Sequence, residues 1–317
     1  MASKVILTEN TRNHVSRLIT AAQSLKNLKD YSEKPSGVWG SKATIKCNNA
    51  TIKSADLDFE FTIPFDDNLE SNEGELIVYN LSDTTIQEMG KSALKMGNKI
   101  SINAGYEGDT GVIFEGAVRH IHSKREGADR ATTLKIYDGV TTTTAKLIEE
   151  RKLEDTYDGV PAKDILWALL EAEGSPIATS KDDIESDYEY ENSVKIGDDL
   201  QAEIKKYSEV CGVSTFKSKG KIYCCKLEKV SNGIMFNVSE KTGMIGSPEP
   251  FEEVVTVGDK EETIKGFDIE MLLQHRAAVG AKVNLQSEKY KGIYYIKSGT
   301  HRFNQNEAIT TLRVVEK

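Results

Sequence analysis

Residues 57–65 read LDFEFTIPF, and Leu57, Phe59, Phe61, Ile63 and Phe65 occupy every second one of these nine positions. A period of two places all five on one face of an extended chain, so a strand with one buried face is required here. Pro64 cannot donate to a ladder and belongs near the strand's end or at a sheet edge. Just before this strand, residues 43–47 and 50–53 flank Asn48 and Asn49, a plausible hairpin tip.

The pattern then switches twice within residues 75–122. Residues 76–81 form a nearly unbroken apolar run, short enough for a strand buried on both faces. A short helix follows, capped by Ser82 or Asp83, with Ile86, Met89, Ala93 and Leu94 at the helical interval and Gly97 as its stop. From Lys99 the period returns to two, with Ile100, Ile102, Ala104 and Tyr106 on one face. Two glycines in residues 107–111 mark a hairpin, and residues 112–122 are its return strand. With residues 131–137 this makes six or seven strands, enough for a small closed barrel or a sandwich.

VYNLS, a short helix, INAGYEGDTG and VIFEGAVRHI, in that order, resemble the first barrel of phage baseplate hub proteins. These are tail-tube-like ring components of contractile tails and R-type bacteriocins, the phage late control protein D or tail hub family. Later segments fit the same resemblance. A helix over 161–173, led by Pro161 and stopped by Gly174, buries Ile165, Leu166, Leu169 and Leu170. A second, capped by Asp198 or Asp199 and ended by Gly212, presents Leu200, Ile204, Tyr207 and Cys211. A hairpin turning at SKGK follows, as in the small α/β domain between the two barrels of the hub family. GAKVNLQS, KGIYYIKSGTHRF and AITTLRVVE are similar to the closing strands of the second barrel, where His301 takes a structural place.

The resemblance implies a mainly β protein with an α+β part: two tail-tube-like antiparallel β-barrel domains joined by a small α/β domain, with an N-terminal helix. Its expected divisions are residues 1–41, an N-terminal helical segment and linker; 42–144, the first barrel; 145–240, the small α/β domain; and 241–317, the second barrel. It implies a homotrimer, in which two barrels per chain imitate the six-fold ring of a tail tube above a three-fold spike. The expected partners are the tail tube protein, the central spike protein, the tape measure protein and other baseplate proteins, with DNA only as passing cargo. Any spike is expected to be a separate protein, and the particle is expected to assemble in the bacterial cytoplasm. The N-terminal stripe of Val15, Leu18, Ile19, Ala22 and Leu25 either docks on a neighbour in the assembly or packs on its own domain.

Bulk chemistry sets limits on other functions. A formal charge of -9 argues against a nucleic-acid-binding surface over the whole molecule, although a local basic patch is compatible with it. In a hub the same acidity reads as a conduit wall that repels DNA, and otherwise as a solubilising surface. The longest apolar runs are too short to span a bilayer, and no stable membrane insertion is expected. Cys47, Cys211, Cys224 and Cys225 form no disulfide-like framework. Cys224 and Cys225 fall on opposite faces of a strand, so one is expected in the core and neither in catalysis.

No nucleophile elbow, dinucleotide fingerprint or P-loop is present. His120 and His122 share a strand face and offer two zinc ligands without a third nearby, or simply polar positions on a wet face. The acidic window 180–191 lacks the glycine and terminal glutamate of a calcium loop and reads as a solvated loop. Trp167 lies off its helix's main stripe, as a half-buried packing residue or a partner anchor. No cofactor, metal or catalytic residue is assigned, and no enzymatic activity is expected. The competing readings are a tail-tip hub of a non-contractile tail, a cell-wall hydrolase component of the tail, and a monomeric two-domain binding module.

Overall fold

The computed structural model describes residues 40–48, 50–69, 72–85, 98–127, 129–138, 156–157, 160–190, 194–197, 199–218, 220–230, 234–257 and 260–316. The N-terminal docking stripe (Val15, Leu18, Ile19, Ala22 and Leu25) lies outside them, as do most of the helix expected after residue 82 and the strand expected over 145–152. At the start of that helix Ser82 Oγ accepts the Thr85 N–H at 3.1 Å, so Ser82 is the cap.

Among the described residues the first half contains seven strands: β1 (Ser41–Cys47), β2 (Ala50–Lys53), β3 (Phe59–Phe65), β4 (Glu73–Tyr79), β5 (Asn98–Tyr106), β6 (Asp109–Glu126) and β7 (Asp129–Asp138). The alternation in β3 has its expected consequence, with Phe59, Phe61 and Ile63 buried. Phe59 and Phe61 both stack on Phe303, at 5.5 and 5.3 Å between centroids. Pro64 lies past Thr62, the last β3 residue paired with β4, so the expectation of a strand-end position holds. β4 differs from its reading. Leu76 and Val78 are buried while Ile77 and Tyr79 are half-buried, so the run is covered fully on one face only.

Between the halves the described residues form two helices. α1 (Ala162–Glu173) starts after Pro161 and buries Ile165, Leu166, Leu169 and Leu170. α2 (Leu200–Cys211) is capped by Asp199, whose carboxylate accepts the N–H groups of Gln201 and Ala202, and it ends at Gly212 with φ of 63°. β8 (Thr156–Tyr157) pairs with β9 (Val194–Lys195). β10 (Ser214–Ser218) and β11 (Lys221–Cys225) form the expected hairpin. One expectation fails there: both Cys224 and Cys225 are fully buried. The hairpin is covered on both faces, Cys224 facing the helices and Cys225 packing with Phe216, Val230 and Val279. The acidic window is anchored by Ile184, which is buried, and by Glu185, which pairs with Lys229. Trp167 is half-buried and donates to Glu171 at 2.9 Å.

The second half holds β12 (Met235–Val238), β13 (Met244–Val257), β14 (Lys260–Leu272), β15 (Lys282–Gln286), β16 (Lys291–Phe303) and β17 (Ala308–Val315). β12 falls in a stretch whose weak periodicity did not announce a strand, and it pairs with β15 in parallel. The other strand-to-strand ladders among the described residues are antiparallel, and an isolated bridge between Ile177 and Ile222 is parallel.

Both halves belong to one sheet, in the order β13-β14-β17-β16-β3-β4-β7-β6-β5-β1-β2, with β15 and β12 branching from β16. The join is β16 against β3, from Gly299↔Phe65 to Phe303↔Phe61. Closure of the first half into its own barrel was expected, but among the described residues the ladder is open, with β2 and β13 at its ends. The reason is visible in β3, whose second edge is occupied by β16 and is no longer available to β2. The core follows the join, since Phe303, Ala308 and Ile309 of the second half pack in the cluster built on Ile45, Leu76 and Ile102.

Candidate functional site

The rows of residues that cross the β16–β3 join produce two different faces. On one side Ile63, His301, Thr310 and Met271 are in register across four strands and all are buried. His301 Nδ1 and Thr310 Oγ1 are 2.9 Å apart, and the Phe65 ring lies 4.9 Å from the imidazole. His301 is thus part of the packing under the join, as its position in the sequence implied.

One residue along, the side chains point the other way. Pro64, Thr300, Thr311 and Glu270 form one row, and Ser298, Arg313 and Asp268 form the next. Together with Asp66 and the β13 segment 245–250 they line a trough of about 810 Å³. The wall formed by 245–250 exists because the β13–β14 register shifts between Ile245 and Glu249, where Gly246 and Pro248 interrupt regular pairing. On the opposite, packed face Gly299 makes room for the Phe65 ring beside His301, since a Cβ there would lie 2.5 Å from that ring.

The trough is acidic, with Asp66, Glu249, Asp268 and Glu270 against a single cation, Arg313. Arg313 is fixed: Nε and Nη2 each donate to Asp268 at 2.9 Å, and the guanidinium carbon sits 4.5 Å over the Phe251 ring. The hydrogen bond to Asp268 raises the guanidinium's pKa further above its ordinary value. Four hydroxyls, Ser247, Ser298, Thr300 and Thr311, complete a wettable surface, and no histidine, cysteine or lysine is among its described lining residues. Such a wall offers carboxylates and hydroxyls to water and to passing solutes, with its one cation already engaged.

Other expected positions are spread elsewhere. His120 and His122 are exposed on β6, and among the described residues no group of three or more His, Cys, Asp or Glu could hold a metal ion. The thiols are all buried, and burial pushes Cys47 and Cys225 up to about 11 and Cys224 to about 12.

Contacts that periodicity did not signal join parts of the chain far apart in sequence. Arg276 donates to both oxygens of Asp109 at 2.7 and 2.6 Å, joining the β5–β6 turn to the loop after β14. Tyr106 Oη donates to the Ala308 carbonyl at 2.8 Å. Ser214 Oγ donates to Asp67 at 3.3 Å, tying β10 to the β3–β4 loop. Burial raises the Asp67 carboxyl, with Lys297 and the Ser214 hydrogen bond acting against it.

No protein-family model matches the chain, and no curated protein sequence does. Solved structures do. A tail protein from Neisseria meningitidis aligns over 87% of this chain and 97% of its own, with a TM-score of 0.55 at 7% identity. The 43 kDa tail protein of prophage MuSo2 from Shewanella oneidensis aligns over 87% and 98%, with a TM-score of 0.54 at 9% identity. A chain of the Francisella PdpA-VgrG complex aligns over 100% of this chain and 65% of its own, with a TM-score of 0.52 at 10% identity. At such identities the likeness is one of fold, and in fold this chain is similar to two solved tail proteins, one of them from a prophage, and to a chain of that VgrG complex.

Proposed function

We propose that the chain is a structural hub of a contractile phage tail or related particle, located in the virion tail baseplate. Three copies close a ring beneath the tail tube, and each contributes two sheet segments, so that a three-fold assembly matches a six-fold one. The single observation that carries this reading is the join of β16 to β3, which makes two β-rich halves into one sheet with an acidic, hydroxyl-lined trough across the seam. The fold likeness to two tail proteins, one of them from a prophage, supports it.

In this reading each half supplies a tube-like barrel segment, residues 145–240 form the connecting α/β unit, and DNA and the tape measure protein pass along the acidic wall without adhering. The tail tube and central spike are the partners above and below. The role is mechanical and involves no turnover. The likeness to a chain of the Francisella PdpA-VgrG complex favours, as a second reading, a place in a complex of that kind.

Sedimentation of the purified chain together with electron microscopy of particles from its host tests the proposal. Expected are trimers in solution and threefold density meeting sixfold density at the tail end. A particle in which this chain occupies another location overturns the reading, as does lysis of purified cell walls by the chain alone. Deleting the residues before Tyr31 is expected to leave a folded protein and to block tail assembly, which tests the docking assigned to Val15, Leu18, Ile19, Ala22 and Leu25.

A further inference from the structure

Three carboxylates of the trough have no cation against them. Asp268 is held by Arg313, whereas Asp66, Glu249 and Glu270 make no ion pair with any described residue. Asp66 accepts the Asn68 N–H at 3.1 Å. Glu270 and Asp66 stand at opposite sides of a floor made by Thr311 and Thr300, and Glu249 is exposed on the β13 wall. Ile245, Pro248 and Pro250 share that wall, so the trough suits an occupant with both cations and apolar side chains.

Such a stretch precedes the described residues. Residues 12–29 hold Arg12, Arg17, Lys26 and Lys29, no Asp or Glu, and the apolar stripe from Val15 to Leu25. Of the three longest stretches outside the described residues, 1–39 carries six Lys and Arg against three Asp and Glu, whereas 86–97 carries two against one and 139–155 three against four. Charge therefore selects the first. It joins the fold at Gly40, whose carbonyl accepts the Glu107 N–H at 3.0 Å. Beside it Ser41 pairs with Tyr106, and Tyr106 Oη reaches the carbonyl of Ala308, three residues before Thr311 of the floor. Residues 30–39 extend to about 35 Å, which gives residues 12–29 the reach to pass around the sheet into the trough.

We propose that residues 12–29 lie in the trough of their own chain, with their cations on Asp66, Glu249 and Glu270 and their apolar side chains against the β13 wall. The contact belongs to the isolated chain and does not depend on the ring reading. In the ring the same stripe is assigned to a neighbour, so assembly draws the segment away and uncovers the acidic wall.

Labelling of Ser247→Cys by a thiol reagent in the full-length chain tests the contact. Ser247 is exposed on the trough wall, and the four native cysteines are buried. Labelling is expected to be slow at low salt and to rise roughly tenfold or more on adding Arg17→Glu with Lys26→Glu, or on raising the salt. Glu249→Lys with Glu270→Lys is expected to give the same rise, and all four reversals together to restore slow labelling. Melting curves identify any variant that misfolds, and Arg17→Gln with Lys26→Gln then supplies the rise with a milder change. Carbodiimide coupling of the wild-type chain is expected to link Lys26 or Lys29 to Asp66, Glu249 or Glu270, as read by mass spectrometry. In a mixture of isotope-labelled and unlabelled chains those links are expected within one chain only. Links between chains identify a second copy as the occupant and overturn the proposal. Labelling indifferent to every reversal also overturns it, and because no ring is needed for the measurement, the ring reading then stands.

Discussion

The imidazole of His275 rests on the backbone of Gly111: a Cβ at position 111 would lie 2.1 Å from its Cδ2. Gly111 belongs to the β5–β6 hairpin of the first half and His275 to the loop after β14, so a missing side chain lets the two halves approach. Gly111→Ala is expected to displace the ring and cost about 1–3 kcal/mol through overpacking. His275→Ala in the same chain removes the clash, and the two changes together are expected to cost less than their sum. Urea denaturation midpoints across the four-member cycle check this.

Beside this contact Asp109 is held by Arg276. The Arg276 hydrogen bonds keep the Asp109 carboxyl below its ordinary value of 3.8 against the opposing effect of burial, with the charges of Arg276 and His275 adding to the depression. A carboxyl depressed in the folded state stabilises above its unfolded pKa, and that contribution is lost as pH falls through the folded one. Asp109 is 47% exposed, so solvent screens the pair and Asp109→Asn is expected to cost roughly 0.2–1 kcal/mol at neutral pH. The difference between variant and wild type is expected to shrink below pH 3.8, in a stability series run against pH.

Glu173 and Lys217 form a more buried pair, 2.5 Å apart between α1 and β10. Burial pushes the Glu173 carboxyl up, and hydrogen bonds from Lys217 and from the Ser175 N–H outweigh it, leaving it below the ordinary value. Lys217→Met strands a buried carboxylate and is expected to cost about 3–5 kcal/mol, while Lys217→Met with Glu173→Gln costs much less. The pH dependence changes sign. Wild type loses this contribution as pH falls below 4.5, whereas burial without Lys217 raises the Glu173 pKa, so the single variant gains stability as pH falls from that raised value toward 4.5. Chemical denaturation near neutrality and in mild acid separates the two.

Cys224 and Cys225 are fully buried with thiol pKa values raised to about 12 and about 11. A thiol without access or thiolate character does not react, so an exposed-thiol reagent at pH 8 is expected to label the folded chain at neither position. Labelling is expected only on unfolding, with a rate that follows denaturant. Fast modification at either position, read by mass spectrometry, removes the assignment of this strand to the interior.

Individual elements were legible because each follows from local periodicity. The alternation at Phe59, Phe61 and Ile63, the row Ile100, Ile102 and Ala104, and the apolar face of α1 all became buried faces as read. Helix ends were legible too, since Asp199 and Gly212 act through backbone groups a few residues away. The run at β4 was misread because contiguous apolar residues carry no phase, and the residue partners in the folded sheet decided which of them were covered.

What the sequence by itself determined was therefore the set of strands and helices, their ends, and the side of each that seeks burial, because those depend on interactions between near neighbours. The tertiary structure decided which strand edges meet. β3 took β16 in place of a closing partner, both faces of β11 were covered, and Asp109 met Arg276 across 167 positions of chain. Edge pairing uses backbone groups that every residue carries, and an ion pair needs only one charge on each partner. Neither leaves a periodic trace in the sequence, and the trough across the β16–β3 seam is a product of both.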